Sequence, residues 1–447
     1  MAVLRLGKAT LDSVYWVPSC DINNLEYFKD LLTFKPTFAN LNPVPVFKES
    51  NGQFGIPRHY PAVYEEVVDR RTEGSEKIRF VEFRGELREH QVPVLAQFYQ
   101  KLSEGYRDII LKADTGSGKT VMLLKMFTEL QLPTLVIVPK TDLMNQWKER
   151  IVKFTDLRLD EIGHIQQDIC HYKGLPIAVG MLHSLCKDKY PIGFKNYYGV
   201  VIFDELHKLG ALHFSKVAGM FPAMYRLGAT ATLRRADGLA KVFYAHLGEE
   251  EITPLESVQP SPKIIRVLYR KISGKIPHWC KNKIQRRGSL LSLLSKNHDR
   301  NRWIAKYAKE SYSSGRQTLV IGERKIQLLS LRTILTTEMG ISKAEIGLYV
   351  GDTSQRERER ISRSCRIILA TTSMLSLGTD IPTLRGLVFA TPLSDVEQAV
   401  GRICRVNDLN QQPLVVDLVD VQHKECMNWA NARNRFYFRS KFDIHNL

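Results

Sequence analysis

Little in this chain points to the outside of a cell or to a bilayer. Its 447 residues include seven cysteines, at positions 20, 170, 186, 280, 365, 404 and 426, and no two of them form a CxxC pair. That scatter argues against a disulfide framework or a zinc site and fits a reducing cytosol. No apolar run reaches the roughly 18 residues needed to cross a bilayer. The opening MAVLRLGKATLDSVYW lacks the apolar core and small-residue cleavage site of a secretory leader. A cytoplasmic protein with no membrane partner is therefore expected. Low-complexity tails and coiled-coil heptads are missing too, so a monomer with no obligate protein partner is the expectation. Acidic residues are in deficit, 47 against 64 Lys and Arg, which leaves a net charge of +17. An excess of this size favours a polyanionic partner, most simply nucleic acid. At this length one ordinary core does not suffice, and two or three domains are expected.

What is present begins with RDIILKADTGSGKTVMLLKMF. Apolar Ile109, Ile110 and Leu111 read as a buried strand, and Val121, Leu123, Leu124 and Phe127 as a helix. The small residues between them, Thr115, Gly116, Ser117 and Gly118, form a loop whose backbone N–H groups can cradle phosphate oxygens at the helix N-terminus. Lys119 can then reach the β- and γ-phosphates of ATP, and the Thr120 hydroxyl can ligate Mg²⁺. Ala113 stands where the usual pattern has its first glycine. The partner carboxylates should end another strand of the same sheet. GVVIFDELHKLG supplies them: the apolar run Val200–Phe203 stops at Asp204 and Glu205. Asp204 is placed to hold Mg²⁺ and Glu205 to polarise the attacking water.

Phosphate loop, DELH and, far downstream, QAVGRICR occur in an order that resembles the DExH helicases and translocases of superfamily two. Further segments fit the resemblance. In LREHQ, Gln91 resembles the glutamine that reads adenine, with Arg88 nearby. LVIVPKTDLMNQW is similar to the segment that contacts the nucleic-acid backbone. RLGATATL resembles the coupling motif, with Thr230 and Thr232 at its polar positions. IILATTSMLSLGTDIP resembles the motif that sets Gly378 and Asp380 between nucleotide and strand. The resemblance spans roughly residues 84 to 420. It implies an α/β fold of two tandem RecA-like parallel-sheet lobes with an ATP cleft between them, plus a small N-terminal α/β accessory domain. It also implies ATP and Mg²⁺ as cofactors. Gln398, Arg402 and Arg405 fall at i, i+4 and i+7 and share a helical face. Their guanidinium groups stay charged and bind phosphate oxygens in a fork, which suits them to the γ-phosphate.

The expected divisions are an accessory domain at 1–80, a first lobe at 81–255, a basic connecting segment at 256–303 and a second lobe at 304–447. The connector is dense in Lys and Arg and holds His278, Trp279 and Trp303, a pattern that can grip phosphates and stack on a base. Its SLLSLLS reads as a helix packing back on a lobe. For the substrate, the DExH box, the N-terminal addition and RLGATATLRRADG look closest to DNA-directed members. Among these the chain is similar to the UvsW-like phage branch-migration helicases, and more distantly to the XPB-type repair helicases. The resemblance implies fork regression and migration of four-way junctions, on branched or forked DNA with single- and double-stranded parts. A phage origin would set the protein in the host cytoplasm. The alternatives are an RNA helicase and the duplex-DNA translocase subunit of a restriction-type complex. A non-catalytic binder on the same fold is disfavoured by intact Lys119, Asp204, Glu205 and Arg402.

Overall fold

A computed structural model describes the chain except for residues 1–3, 38–40, 115, 192, 207–210, 232–236, 256–259, 272–273, 275–281, 373–380, 382 and 405–410, and the side chains of 283 and 355. The candidates Thr115, Thr232, Gly378, Asp380 and Arg405, and the connector's His278 and Trp279, lie outside the described residues. The chain divides into two compact units, Met1–Ser257 and Val258–Leu447.

In the first unit an eight-stranded sheet runs in the order Ile169–His171, Ile162–Gln166, Ile177–Met181, Thr134–Val138, Val200–Phe203, Tyr225–Thr230, Asp108–Lys112 and Glu251–Ile252. All neighbours pair in parallel except the first two. Thr134–Val138 and Val200–Phe203 are buried at every residue. Such uniform burial is what a parallel sheet covered on both faces requires, and it explains continuous apolar runs rather than alternation. One face packs on Phe98, Phe127 and Trp147. The other is covered by helices bearing Phe214 and Phe243, whose core is continuous with Leu4, Leu6, Phe54 and Ile56.

Those last residues belong to a five-stranded N-terminal sheet, ordered Lys48–Ser50, Gln53–Ile56, Tyr15–Pro18, Leu4–Leu11 and Ala62–Asp69. Only its final pair is parallel. Buried charge also ties it to the larger sheet. Arg58 donates to Asp108 Oδ1 at 3.2 Å and to the Ala223 carbonyl at 2.8 Å. Arg226, wholly buried, donates to the carbonyls of Ser13 and Phe221. The N-terminal sheet and the eight-stranded sheet thus share one core and one polar seam.

The second unit is a seven-stranded sheet ordered Ile346–Tyr349, Ile367–Thr371, Gln317–Gly322, Leu384–Phe389, Leu414–Asp420, Lys263–Tyr269 and Asp443–Asn446, with every pairing parallel. Buried ion pairs pin helices to it. Arg300 meets both oxygens of Asp420, at 2.7 and 2.9 Å, and Arg433 meets Asp417. The segment read as a connector contributes to this unit. Lys263–Tyr269 enters its sheet, and Lys283–Lys296, which contains SLLSLLS, is a helix burying Leu290 and Leu294. Among the described residues, no helix is long and apolar enough to cross a membrane.

Candidate active site

Three adjacent parallel strands bring the sequence candidates to one edge of the first sheet. Val200–Phe203 lies beside Tyr225–Thr230, which lies beside Asp108–Lys112. Their C-terminal ends therefore share an edge, the one at which open α/β sheets hold ligands.

The loop leaves Lys112 with the Ala113 N–H donating to the Thr230 carbonyl at 3.0 Å. Thr230, fully buried, thus abuts the loop's first residue. Gly116 and Gly118 take φ of +93° and +88°, left-handed conformations that side chains resist. Ser117 Oγ donates back to the Asp114 carbonyl at 2.7 Å. Gly118 caps the helix Lys119–Leu130. Lys119 is buried, and its Nζ donates to the carbonyls of Ala113 at 3.0 Å and Asp114 at 3.3 Å. Thr120 follows in the first turn, half-buried.

Gln91 meets this loop from behind. It is buried, its Nε2 donates to the Ser117 carbonyl at 2.7 Å, and its Oε1 accepts from the Arg88 N–H at 3.0 Å. A Cβ at Gly118 would sit 2.2 Å from that same nitrogen. Glycine is thus required there twice over, by conformation and by space. In this structure both ends of the Gln91 amide brace protein, while the Arg88 side chain is exposed.

At the neighbouring strand end, the Asp204 N–H donates to the Ile137 carbonyl at 3.1 Å, so the residue continues the ladder. Its carboxylate is 6% exposed. Oδ2 accepts from Trp147 Nε1 at 2.7 Å, and Oδ1 from the Glu205 N–H at 2.9 Å. Glu205 takes φ +53°, uncommon outside glycine, and turns the chain out of the strand. Burial, and then the Glu205 charge, push the Asp204 carboxyl up to about 6, against the opposing pull of the Trp147 hydrogen bond and the Lys119 charge. Glu205 and Lys119 thus both act on the Asp204 carboxylate. Trp147 was not singled out in the sequence as a partner of this site.

In the second unit the helix Glu397–Ile403 carries Gln398, half-buried, and Arg402 one turn on, buried. Burial lowers the Arg402 guanidinium to about 10, which leaves it charged at neutral pH.

Residues 84–235 match the family of the type III restriction enzyme res subunit, and residues 299–407 match the helicase conserved C-terminal domain. The chain is a superfamily-two helicase: an ATP-hydrolysing enzyme that binds nucleic acid, with two RecA-like lobes. It is 29% identical to a protein of Acanthamoeba polyphaga mimivirus named as an ATP-dependent RNA helicase, over 92% of this chain and 79% of that one. It is 30% identical to the DNA 3'-5' translocase XPB2 of Sulfurisphaera tokodaii, over 49% of this chain and 48% of that one. The helicase domain of Hef from Pyrococcus furiosus shares the fold, with a TM-score of 0.51 at 12% identity, over 76% of this chain and 97% of that domain.

Proposed function

We propose that the chain is an ATP-driven DNA motor that remodels branched DNA, regressing forks and migrating four-way junctions. The observation that carries the motor is the convergence of Lys119, Thr120, Asp204 and Glu205 at one edge of one sheet. DNA is favoured over RNA by the DNA translocase among its relatives and by the DExH box. The N-terminal five-stranded sheet, outside both matched segments, is the candidate for junction recognition.

The residues present suit Mg²⁺–ATP. Hydroxyl and carboxylate oxygens are the donors Mg²⁺ takes, and a carboxylate raised by burial is stabilised by a cation. Bound there, the metal would neutralise charge on the phosphates. Lys119 turns its ammonium to the β- and γ-phosphates, and the loop N–H groups hold them at the helix N-terminus. Thr120 and Asp204 hold the metal. Glu205 accepts the proton of the attacking water. Gln91 and Arg88 serve the adenine side, and Gly378 and Asp380 the nucleotide side of the second lobe. Thr230 and Thr232 couple turnover to movement. Gln398, Arg402 and Arg405 address the γ-phosphate, and Arg405→Ala is expected to bind ATP normally and hydrolyse it about 10³-fold more slowly. Wild-type turnover in that variant removes the arginine from the account.

The mimivirus relative's name favours a second reading, an RNA helicase. The deciding experiment is ATP-dependent resolution of a synthetic four-way DNA junction, beside 3′- and 5′-tailed DNA duplexes and an RNA duplex. Junction processing well above the tailed duplexes is expected. An ignored junction with an unwound RNA duplex would establish the second reading instead.

A further inference from the structure

Trp147 stands 57 residues before Asp204, yet its indole reaches that carboxylate at 2.7 Å. It sits on the helix Thr141–Phe154, 1% exposed, in the core with Met144 and Ile151. A buried indole N–H is a donor only and has to find an acceptor. Any backbone carbonyl would satisfy that need. This one instead ends on a carboxylate whose other oxygen accepts from the Glu205 N–H, so each oxygen is held by one neutral donor.

The neutrality of these donors matters. The first unit's other buried aspartate, Asp108, is held by the guanidinium of Arg58 and so has its charge matched from within. An indole and a peptide N–H orient a carboxylate without cancelling its charge. Each carboxylate oxygen also keeps a lone pair beyond the one the donor uses. We propose that Trp147 is a positioning residue for the metal site: its N–H fixes the Asp204 carboxylate in the orientation that holds Mg²⁺. This rests on the reading of Asp204 as a Mg²⁺ ligand.

The test is the affinity of a fluorescent ADP analogue, titrated against free Mg²⁺, for wild type, Trp147→Phe and Asp204→Asn, with a parallel titration in EDTA. Phenylalanine keeps most of the buried ring and removes the donor. Loss of a hydrogen bond that orients a metal ligand commonly costs about 10- to 100-fold in metal affinity. The Mg²⁺ midpoint of Trp147→Phe is accordingly expected to rise about 10-fold or more, with affinity in EDTA unchanged. Simple damage to the core would shift both, and would overturn the proposal. So would an unshifted midpoint in Trp147→Phe beside a shifted one in Asp204→Asn, which would leave Asp204 as a ligand and reduce the indole to filling. An unshifted Asp204→Asn removes the metal reading itself. If Trp147→Phe does not fold, wild type labelled with ¹⁵N at the indoles replaces it. The resonance displaced by Asp204→Asn is that of Trp147; it should move on adding Mg²⁺ with ADP and stay put with ADP in EDTA, and a still resonance in both overturns the proposal.

Discussion

Asp108 and Asp204 are two buried aspartates of one sheet, at opposite ends of its strands, and their surroundings treat them in opposite ways. Burial by itself would raise Asp108, but Arg58 and His59 outweigh it and hold the carboxyl down at about 2. Asp204 has no hydrogen-bonded cation among its described donors. Burial and the Glu205 charge push it up to about 6. A buried charge matched by its own chain belongs to the architecture. One held by neutral donors, with the charges of Lys119 and Arg150 as a partial offset, costs stability, which persists where strain is retained for function. Asp108 joins the N-terminal sheet to the larger one; on the proposed function, Asp204 is held for a ligand.

The largest effect should fall at the ligand edge. Lys119→Ala should lower ATP turnover by about 10³-fold or more, the scale on which charge acts on a transferring phosphoryl group. DNA binding, read by fluorescence anisotropy, should survive, because the replaced side chain faces the loop carbonyls of Ala113 and Asp114. An unfolded variant would show that Lys119 belongs with Asp108 rather than with Asp204.

At the other strand end, Asp108→Asn strands a buried guanidinium and should cost about 3–5 kcal/mol in urea unfolding. Turnover per folded molecule should not change. The contribution of Asp108 also has a pH signature. A carboxyl held at about 2, against 3.8 unperturbed, stabilises the fold fully above the unperturbed value and loses that effect as pH falls through the window between the two. The stability gap between wild type and Asp108→Asn should therefore be constant near neutrality and narrow below pH 3.8. A gap that is flat across that window contradicts the ion-pair account.

The ligand edge was legible in the sequence because its chemistry is local. The apolar run before Asp204 and the glycines before Lys119 each declare themselves within a dozen residues, and in the second unit so does the spacing of Gln398 and Arg402. The parallel sheets followed from the same uniform apolar runs. What stayed hidden depends on contacts between distant segments. The Trp147 bond to Asp204 spans 57 residues, the Gln91 bond to Ser117 spans 26, and the Arg226 bond to Ser13 spans 213. Trp147 reads in sequence as one more apolar position on an amphipathic helix. The strand KIIRVLY was obscured by the basic residues that dominate the composition around it, although Ile264, Val267 and Tyr269 within it are buried.

The smallest expected effect is the most telling. In EDTA, Asp204→Asn relieves the cost of a buried charge but leaves a single oxygen for the two N–H donors of Trp147 and Glu205. The two effects nearly offset, and the thermal midpoint should move by the equivalent of about 1 kcal/mol or less. Mg²⁺ with ATP should then raise the midpoint of wild type and not that of the variant. A variant that falls below wild type in EDTA by about 3–5 kcal/mol, as Asp108→Asn should, would mean that Asp204 serves the fold and that the site has been assigned to the wrong carboxylate.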